Sequence, residues 1–167
     1  MRIYTQEELE SLTRCPKKIV DPPRRSPALA NGHYQNGMIL ESLDGKHKFH
    51  AFMRQNAKFP EDFSVGLEYL PEDGSPDITL IRCNGPHWTE KDGWPTDDYH
   101  FHYHVHKALK ENIEAGLKPE RYAVITREYA TFEDAITYFV QYCSIQGANA
   151  YFSFLHQLPL FQLEGYL

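Results

Sequence analysis

Runs in which apolar and polar residues alternate fill the middle of this chain, the mark of strands with one buried face. Met38 to Leu43 and His47 to Met53 flank Asp44-Gly45, a dipeptide suited to a tight type I′ hairpin turn. Phe63, Val65, Leu67 and Tyr69 alternate with Ser64, Gly66 and Glu68. That run ends at the turn Pro71-Glu72-Asp73-Gly74 and is expected to pair with Ile78 to Cys83. Further on, His100, His102, His104 and His106 alternate with Tyr99, Phe101, Tyr103 and Val105, which reads as a fifth strand. Two hairpins and a His-rich strand predict an antiparallel sheet of about five strands, with one face free for a helical layer.

The helical signals lie at the two ends. Thr5-Gln6-Glu7-Glu8 reads as a capping box before a short helix that carries Leu9 and Leu12 and stops by Cys15-Pro16. Residues 16–37 hold Pro16, Pro22, Pro23 and Pro27 with Lys17, Lys18, Arg24 and Arg25. This is expected to be an extended arm with little regular structure, either solvated or in contact with a phosphate or a partner. Lys107 to Ala115 is helix-like and stops at Gly116. Asp97 or Asp98 could also cap a helix that begins inside the His stretch, so residues 99–106 read as a strand or as a helix start. Thr131-Phe132-Glu133-Asp134 is a second capping box. The stripe Phe132, Ala135, Ile136, Phe139, Val140 and Cys143 after it packs a core up to Gly147. The tail 148–167 is rich in aromatic residues and Leu; it adds a last helix, covers the sheet, or, if exposed, forms an oligomer interface. The whole reads as one α+β domain over 1–167: a short helix at 1–15, the arm at 16–37, the sheet at 38–106 and a helical layer at 107–167.

Composition narrows the function. A formal net charge of −6 over 167 residues argues against a broad, sequence-blind nucleic-acid binder. It leaves an enzyme that touches RNA through a local positive cleft, or an acidic protein that docks on a basic partner. Cys15, Cys83 and Cys143 are odd in number and widely spaced, which suits reduced thiols in the cytoplasm. The N-terminus lacks the pattern of a signal peptide, and no apolar run approaches the length of a membrane span.

Two stretches carry chemistry. Histidine changes charge near neutrality, so a row of imidazoles on one strand face, about 6.5–7 Å apart, can move protons or bind a metal. Arg82-Cys83-Asn84-Gly85-Pro86-His87 stands where a strand ends. Arg82 offers a planar charged fork for phosphate, and Asn84-Gly85 permits a left-handed turn that aims His87 back at the sheet. The loop from Trp88 to Asp98 then returns the chain to the His stretch. Three readings follow. In the first, His102, His104 and His106 share acid–base work with His87 beside Arg82 at a phosphate, and Asn84 and His100 complete the substrate contacts; this is a kit for metal-free RNA cleavage through the 2′-hydroxyl. In the second, His102 and His104, with His87 or an Asp, hold a divalent metal for a hydrolase. In the third, the histidines are a hydrogen-bonded sheet face without chemistry. Glu68 and Arg54, on neighbouring strands, read equally as orienting groups or as surface residues.

The order of hairpins, Arg-Cys-Asn-Gly-Pro-His, spacer, His-x-His-Lys and helix resembles a broad set of small bacterial proteins. More distantly, it resembles the TumE-like toxins of toxin–antitoxin pairs. The matching residues are Arg82, Asn84, Pro86 and His87, then His104 and His106, within a similar region from about residue 37 to 140. Cys83 stands where those toxins tend to have Asp. The resemblance implies a toxin acting on RNA and neutralised by a cognate antitoxin or another protein partner, with a homo-oligomer as a further expectation. The alternative is a non-enzymatic acidic binding protein, such as a phage or mobile-element inhibitor of a host defence system.

Overall fold

The computed structural model describes residues 2–87 and 98–157. Helix α1 (Gln6–Arg14) opens with the expected capping box: Glu8 N–H donates to the Thr5 hydroxyl, and Thr5 N–H donates to the Glu8 carboxylate. It closes at Cys15, before Pro16. Strands β1 (Lys17–Asp21), β2 (Ala28–Ala30), β3 (His33–Ser42), β4 (Lys48–Asn56), β5 (Phe63–Leu70) and β6 (Ile78–Asn84) follow. A 3-10 turn (Tyr99–Phe101) precedes β7 (His104–Lys107), α2 (Lys110–Glu114), β8 (Ala123–Ile125), α3 (Phe132–Tyr142) and β9 (Ile145–Gln146).

The described residues form one nine-stranded sheet in the order β8-β7-β6-β5-β4-β3-β1-β9, with β2 paired to β3 beyond β1. All pairings are antiparallel except β1 with β9, so the sheet is mixed. The α+β class stands, and the expected strands at 38–53, 63–69 and 78–83 lie inside β3 to β6. The expected five-strand antiparallel sheet is too small. The arm at 16–37 is mostly strand, because β1 and β2 both pair with β3. The helical layer at 107–167 is thinner than expected: α2 has five residues, and β8 and β9 join the sheet. Of the tail, residues 148–157 form two short 3-10 segments, and 158–167 lie outside the described residues.

Turn chemistry differs in instructive ways. Asp44 keeps a negative φ and only Gly45 is left-handed (φ 73°), so the β3–β4 loop is not type I′. The Asp44 side chain instead accepts from Ser42 Oγ at 2.6 Å and from Lys46 N–H at 3.1 Å. At the start of α3, Asp134 N–H donates to Thr131 Oγ1, one half of the expected box. Helix α3 ends at Tyr142, and Ser144 (φ 52°) is the left-handed residue just past it; Gly147 (φ 81°) is left-handed too, but lies beyond β9.

The core lies on one face of the sheet. Phe49, Ala51, Met53, Val65, Leu67, Ile81, Cys83 and Val105 are buried there with Leu9 and Leu12 of α1 and Ala135, Ile136 and Phe139 of α3. Cys83 is thus buried on the helix side, which pushes its thiol pKa up; it takes no part in a site on the other face. All three cysteines are free thiols. Among the described residues no helix is long and apolar enough to cross a membrane.

Lys17 departs most from its expected place. It is fully buried rather than solvated. Its ammonium donates to Thr13 O (2.8 Å), Cys15 O (2.7 Å) and Cys143 O (3.1 Å), joining the carboxyl ends of α1 and α3. Burial lowers its pKa, and the Phe49 ring lies 4.7 Å from Nζ. Lys17→Met keeps the volume but leaves three carbonyls without a donor. The expected loss is about 3 kcal/mol, seen as a melting temperature lower by roughly 6–12 °C; an unchanged melting temperature would show that the cap is dispensable.

Candidate active site

Pairing of β6 with β7 builds the site. Arg82 faces His106, and Asn84 faces His104. Cys83 and Val105 between them point into the core, so all four polar side chains stand on the face away from the helices. This is the convergence that the sequence suggested for Arg82 and the His stretch.

The His stretch itself is not one strand. Asp98 accepts from His100 N–H at 2.9 Å and caps the 3-10 turn Tyr99–Phe101, so only the second half of the stretch is a strand. Residues 99–106 are therefore a short capped turn followed by a strand, not a strand throughout and not the start of an α-helix. The turn folds back over β7. Tyr99 lies 5.1 Å from His104 and 5.7 Å from His106 between ring centroids, and it stacks on His100 at 4.0 Å. His87 N–H donates to His100 O at 2.9 Å, which ties the end of the Arg82–His87 segment to the turn. The remainder of the expected loop, Trp88 to Asp97, lies outside the described residues.

Four imidazoles come together. His87 is 4.9 Å from His100 and 5.3 Å from His104; His104 is 5.1 Å from His106. His102 does not join them. Its side chain is exposed, and only its carbonyl serves the cluster, by accepting from His104 Nδ1–H at 2.7 Å. His102, expected to share the acid–base work, stands apart because the 3-10 turn breaks the alternation before it. The expected metal set His102, His104 and His87 is not assembled for the same reason. Among the described residues no group of three or more His, Cys, Asp or Glu is arranged to hold a metal ion.

Hydrogen bonds fix the tautomers of the buried pair. A carbonyl only accepts, so His104 carries its proton on Nδ1 toward His102 O, and His106 carries its own on Nδ1 toward Glu120 O at 2.9 Å. Each Nε2 is then an acceptor. His104 Nε2 is buried and has no partner among the described residues. Burial lowers the pKa of His104 to about 4 and that of His106 to about 3, with Arg82 and the neighbouring imidazoles adding to the effect. Both are neutral at pH 7. His87 is also lowered, by burial first and then by His100. Asp98 holds His100 Nδ1 in a short contact, and hydrogen bonds from His100 keep its carboxyl below the usual range. Behind β6 and β7 the Tyr129 hydroxyl lies 2.7 Å from His104 O and 3.2 Å from Asn84 O, and burial raises its pKa.

A cleft of about 400 Å³ opens beside this row. Arg82 and His87 line one side, Arg54 and His33 the other, with Ser64 and Asn84 on the floor. Ser64 Oγ–H donates to Asn84 Oδ1 at 2.8 Å, and Arg54 lies 3.1 Å from the His33 ring. Asp62 is the one acidic residue in the lining among the described residues. Arg82 is held only loosely, at 3.9 Å from Glu120, and its buried Nε lacks a partner among the described residues. No local motif links strands β3 and β4 to the Arg82 segment, so the sequence pattern does not bring Arg54 and His33 to this cleft. Glu68 does not orient the cluster; it pairs with His50 at 2.9 Å.

Gly85 has a different use from the one expected. Its φ is not left-handed. A Cβ there would sit 1.8 Å from Glu61 O, so glycine lets the 59–62 loop pack against the end of β6. Gly85→Ala must displace backbone beside His87, at an expected cost of about 3 kcal/mol in a denaturant titration; a cost near zero would mean the loop moves freely.

Comparison with family models, with curated proteins and with solved structures gives no match for this chain.

Proposed function

We propose that this chain is a toxin-like protein that cleaves RNA by acid–base chemistry without a metal. The observation that carries this reading is the cleft: in an acidic chain, two arginines and two histidines line one cavity of about 400 Å³ next to the neutral imidazoles of His104 and His106. Arg82 and Arg54 suit a phosphate held between them. His87, kept neutral by burial, suits the base that takes the 2′-hydroxyl proton. That oxygen then attacks phosphorus, the 5′-oxygen leaves, and a cyclic phosphate and a free hydroxyl result. His100 suits the proton donor to the leaving oxygen, because its ring lies 4.9 Å from that of His87 and Asp98 holds its Nδ1 in place. His104 and His106 are too buried to meet substrate directly and support His87 and the turn that carries His100.

A neutralising partner belongs to the same reading. Edge strand β8 leaves Val124 and Ile125 exposed, an apolar border that such a partner would cover.

The test is cleavage of mixed RNA by the purified chain, with and without EDTA, beside His87→Ala. Cleavage that survives EDTA and fails in the variant supports the reading. EDTA-sensitive cleavage would point to a metal, and absence of cleavage would favour the acidic binding protein.

A further inference from the structure

The sheet carries two adjacent rungs of outward-facing residues that run from the histidines across to β3. The first is His104, Asn84, Ser64, Arg54 and Gln35; the second is His106, Arg82, Gly66, Phe52 and Gly37. Both lie on the face away from α1 and α3. From β7 to β4 they span three strand spacings, roughly 14 Å, which is the reach of a few nucleotides.

Phe52 is placed unusually on the second rung. Both of its cross-strand neighbours, Gly37 and Gly66, lack side chains. A Cβ on Gly66 would meet the Phe52 ring at 2.3 Å, so the ring lies across β5 where a side chain would stand. It borders a second cleft of about 550 Å³, walled by Asp21 at the end of β1 and by Pro22 and Arg24 of the segment between β1 and β2. That wall is pinned. The Asn36 side chain accepts from Arg24 N–H and donates to Arg24 O, each at 2.9 Å. The Arg24 side chain stays exposed. Arg54 lines both clefts, which makes them neighbours along one groove.

We propose that this groove is a track for single-stranded RNA, in which a base stacks on Phe52 and Arg54 and Arg24 hold the phosphates on either side. An aromatic platform between arginines on an open sheet face is how single strands are held without base reading. The acidic groups near the track each have a neighbour or lie at its margin: Glu68 is 2.9 Å from His50, Asp62 accepts from Asn56 at 3.2 Å, and Asp21 stands at the far wall, against the three arginines Arg82, Arg54 and Arg24. The inference deepens the RNA-cleavage reading and rests on it for the polarity of the track toward His87.

The test uses the full chain and a short fluorescent 2′-O-methyl oligoribonucleotide, which has no nucleophile to be cleaved but keeps bases and phosphates. Anisotropy measures its binding. Phe52→Ala is expected to weaken binding about 10-fold or more, with Phe52→Tyr restoring it. Arg54→Gln is expected to reduce the slope of log affinity against log salt by about 0.7, the share of one phosphate contact on a single strand. Thermal unfolding of each variant checks that the fold is intact. Unchanged affinity in a folded Phe52→Ala, or no binding by the wild-type chain, overturns the track. The cleavage reading is scored separately on natural RNA: cleavage with normal KM in Phe52→Ala sinks the track alone, whereas Phe52-dependent binding without cleavage supports the track and sinks the nuclease.

Discussion

Lowering the pH from 7 to 5 should remove about 4 kcal/mol of stability from this protein. In the unfolded chain His104 and His106 titrate near 6.5, whereas in the fold burial holds them at about 4 and about 3. Between these values the unfolded chain binds more protons than the native one, so stability falls as pH falls. At pH 5 each imidazole has crossed about 1.5 of the units that separate it from the unfolded value, at about 1.4 kcal/mol per unit. His87, lowered for the same reason, acts in the same direction. Carboxylates held low in the fold, such as Asp98 and Asp44, contribute only below their ordinary values of 3.8, so the window between pH 6.5 and 5 belongs to the histidines. Against a typical total of about 5–15 kcal/mol the loss is large. Urea titrations at pH 7 and pH 5 measure it, and His104→Gln should flatten the dependence whatever its own stability. A midpoint that does not move between the two pH values would mean the imidazoles are charged or exposed.

The second large effect concerns the cleft. His87→Ala should lower RNA cleavage by roughly 10²–10⁴-fold, the usual weight of a general base. Arg82→Gln should cost roughly 10²–10³-fold, because the charge it neutralises grows as phosphorus gains its fifth oxygen. His102→Ala should cleave normally, since His102 is exposed and apart from the other imidazoles. The three variants together separate the cleft from the His stretch as a whole. Equal losses in His87→Ala and His102→Ala would mean that the 3-10 turn does not divide the stretch as described.

What the sequence reveals and what it hides have physical reasons. β5 is legible because Phe63, Val65, Leu67 and Tyr69 all face one core, and α1 because its capping box is local. The meeting of Arg82 with His106 follows from alternation and strand adjacency, and both hold. His102 misleads because one capping side chain, Asp98, converts half of an alternating run into a 3-10 turn, and alternation alone carries no sign of that. β1, β2, β8 and β9 are two to five residues long and exist through distant partners, so no window of sequence announces them. Lys17 sits in a basic, Pro-rich segment that looks solvated, yet it is buried by the ends of two helices that meet only in the fold. Arg54 and Phe52 belong to the groove through register, which side-chain pattern cannot give.

The account turns on whether the 2′-hydroxyl is the nucleophile activated beside His87. The most direct measurement compares a short oligoribonucleotide with the same strand carrying a single 2′-deoxy residue at its cleavage position, in EDTA. The account predicts that the all-ribose strand is cut to a cyclic phosphate end and that the substituted strand is not cut there. Cleavage of both strands at that position, or of neither, would contradict it.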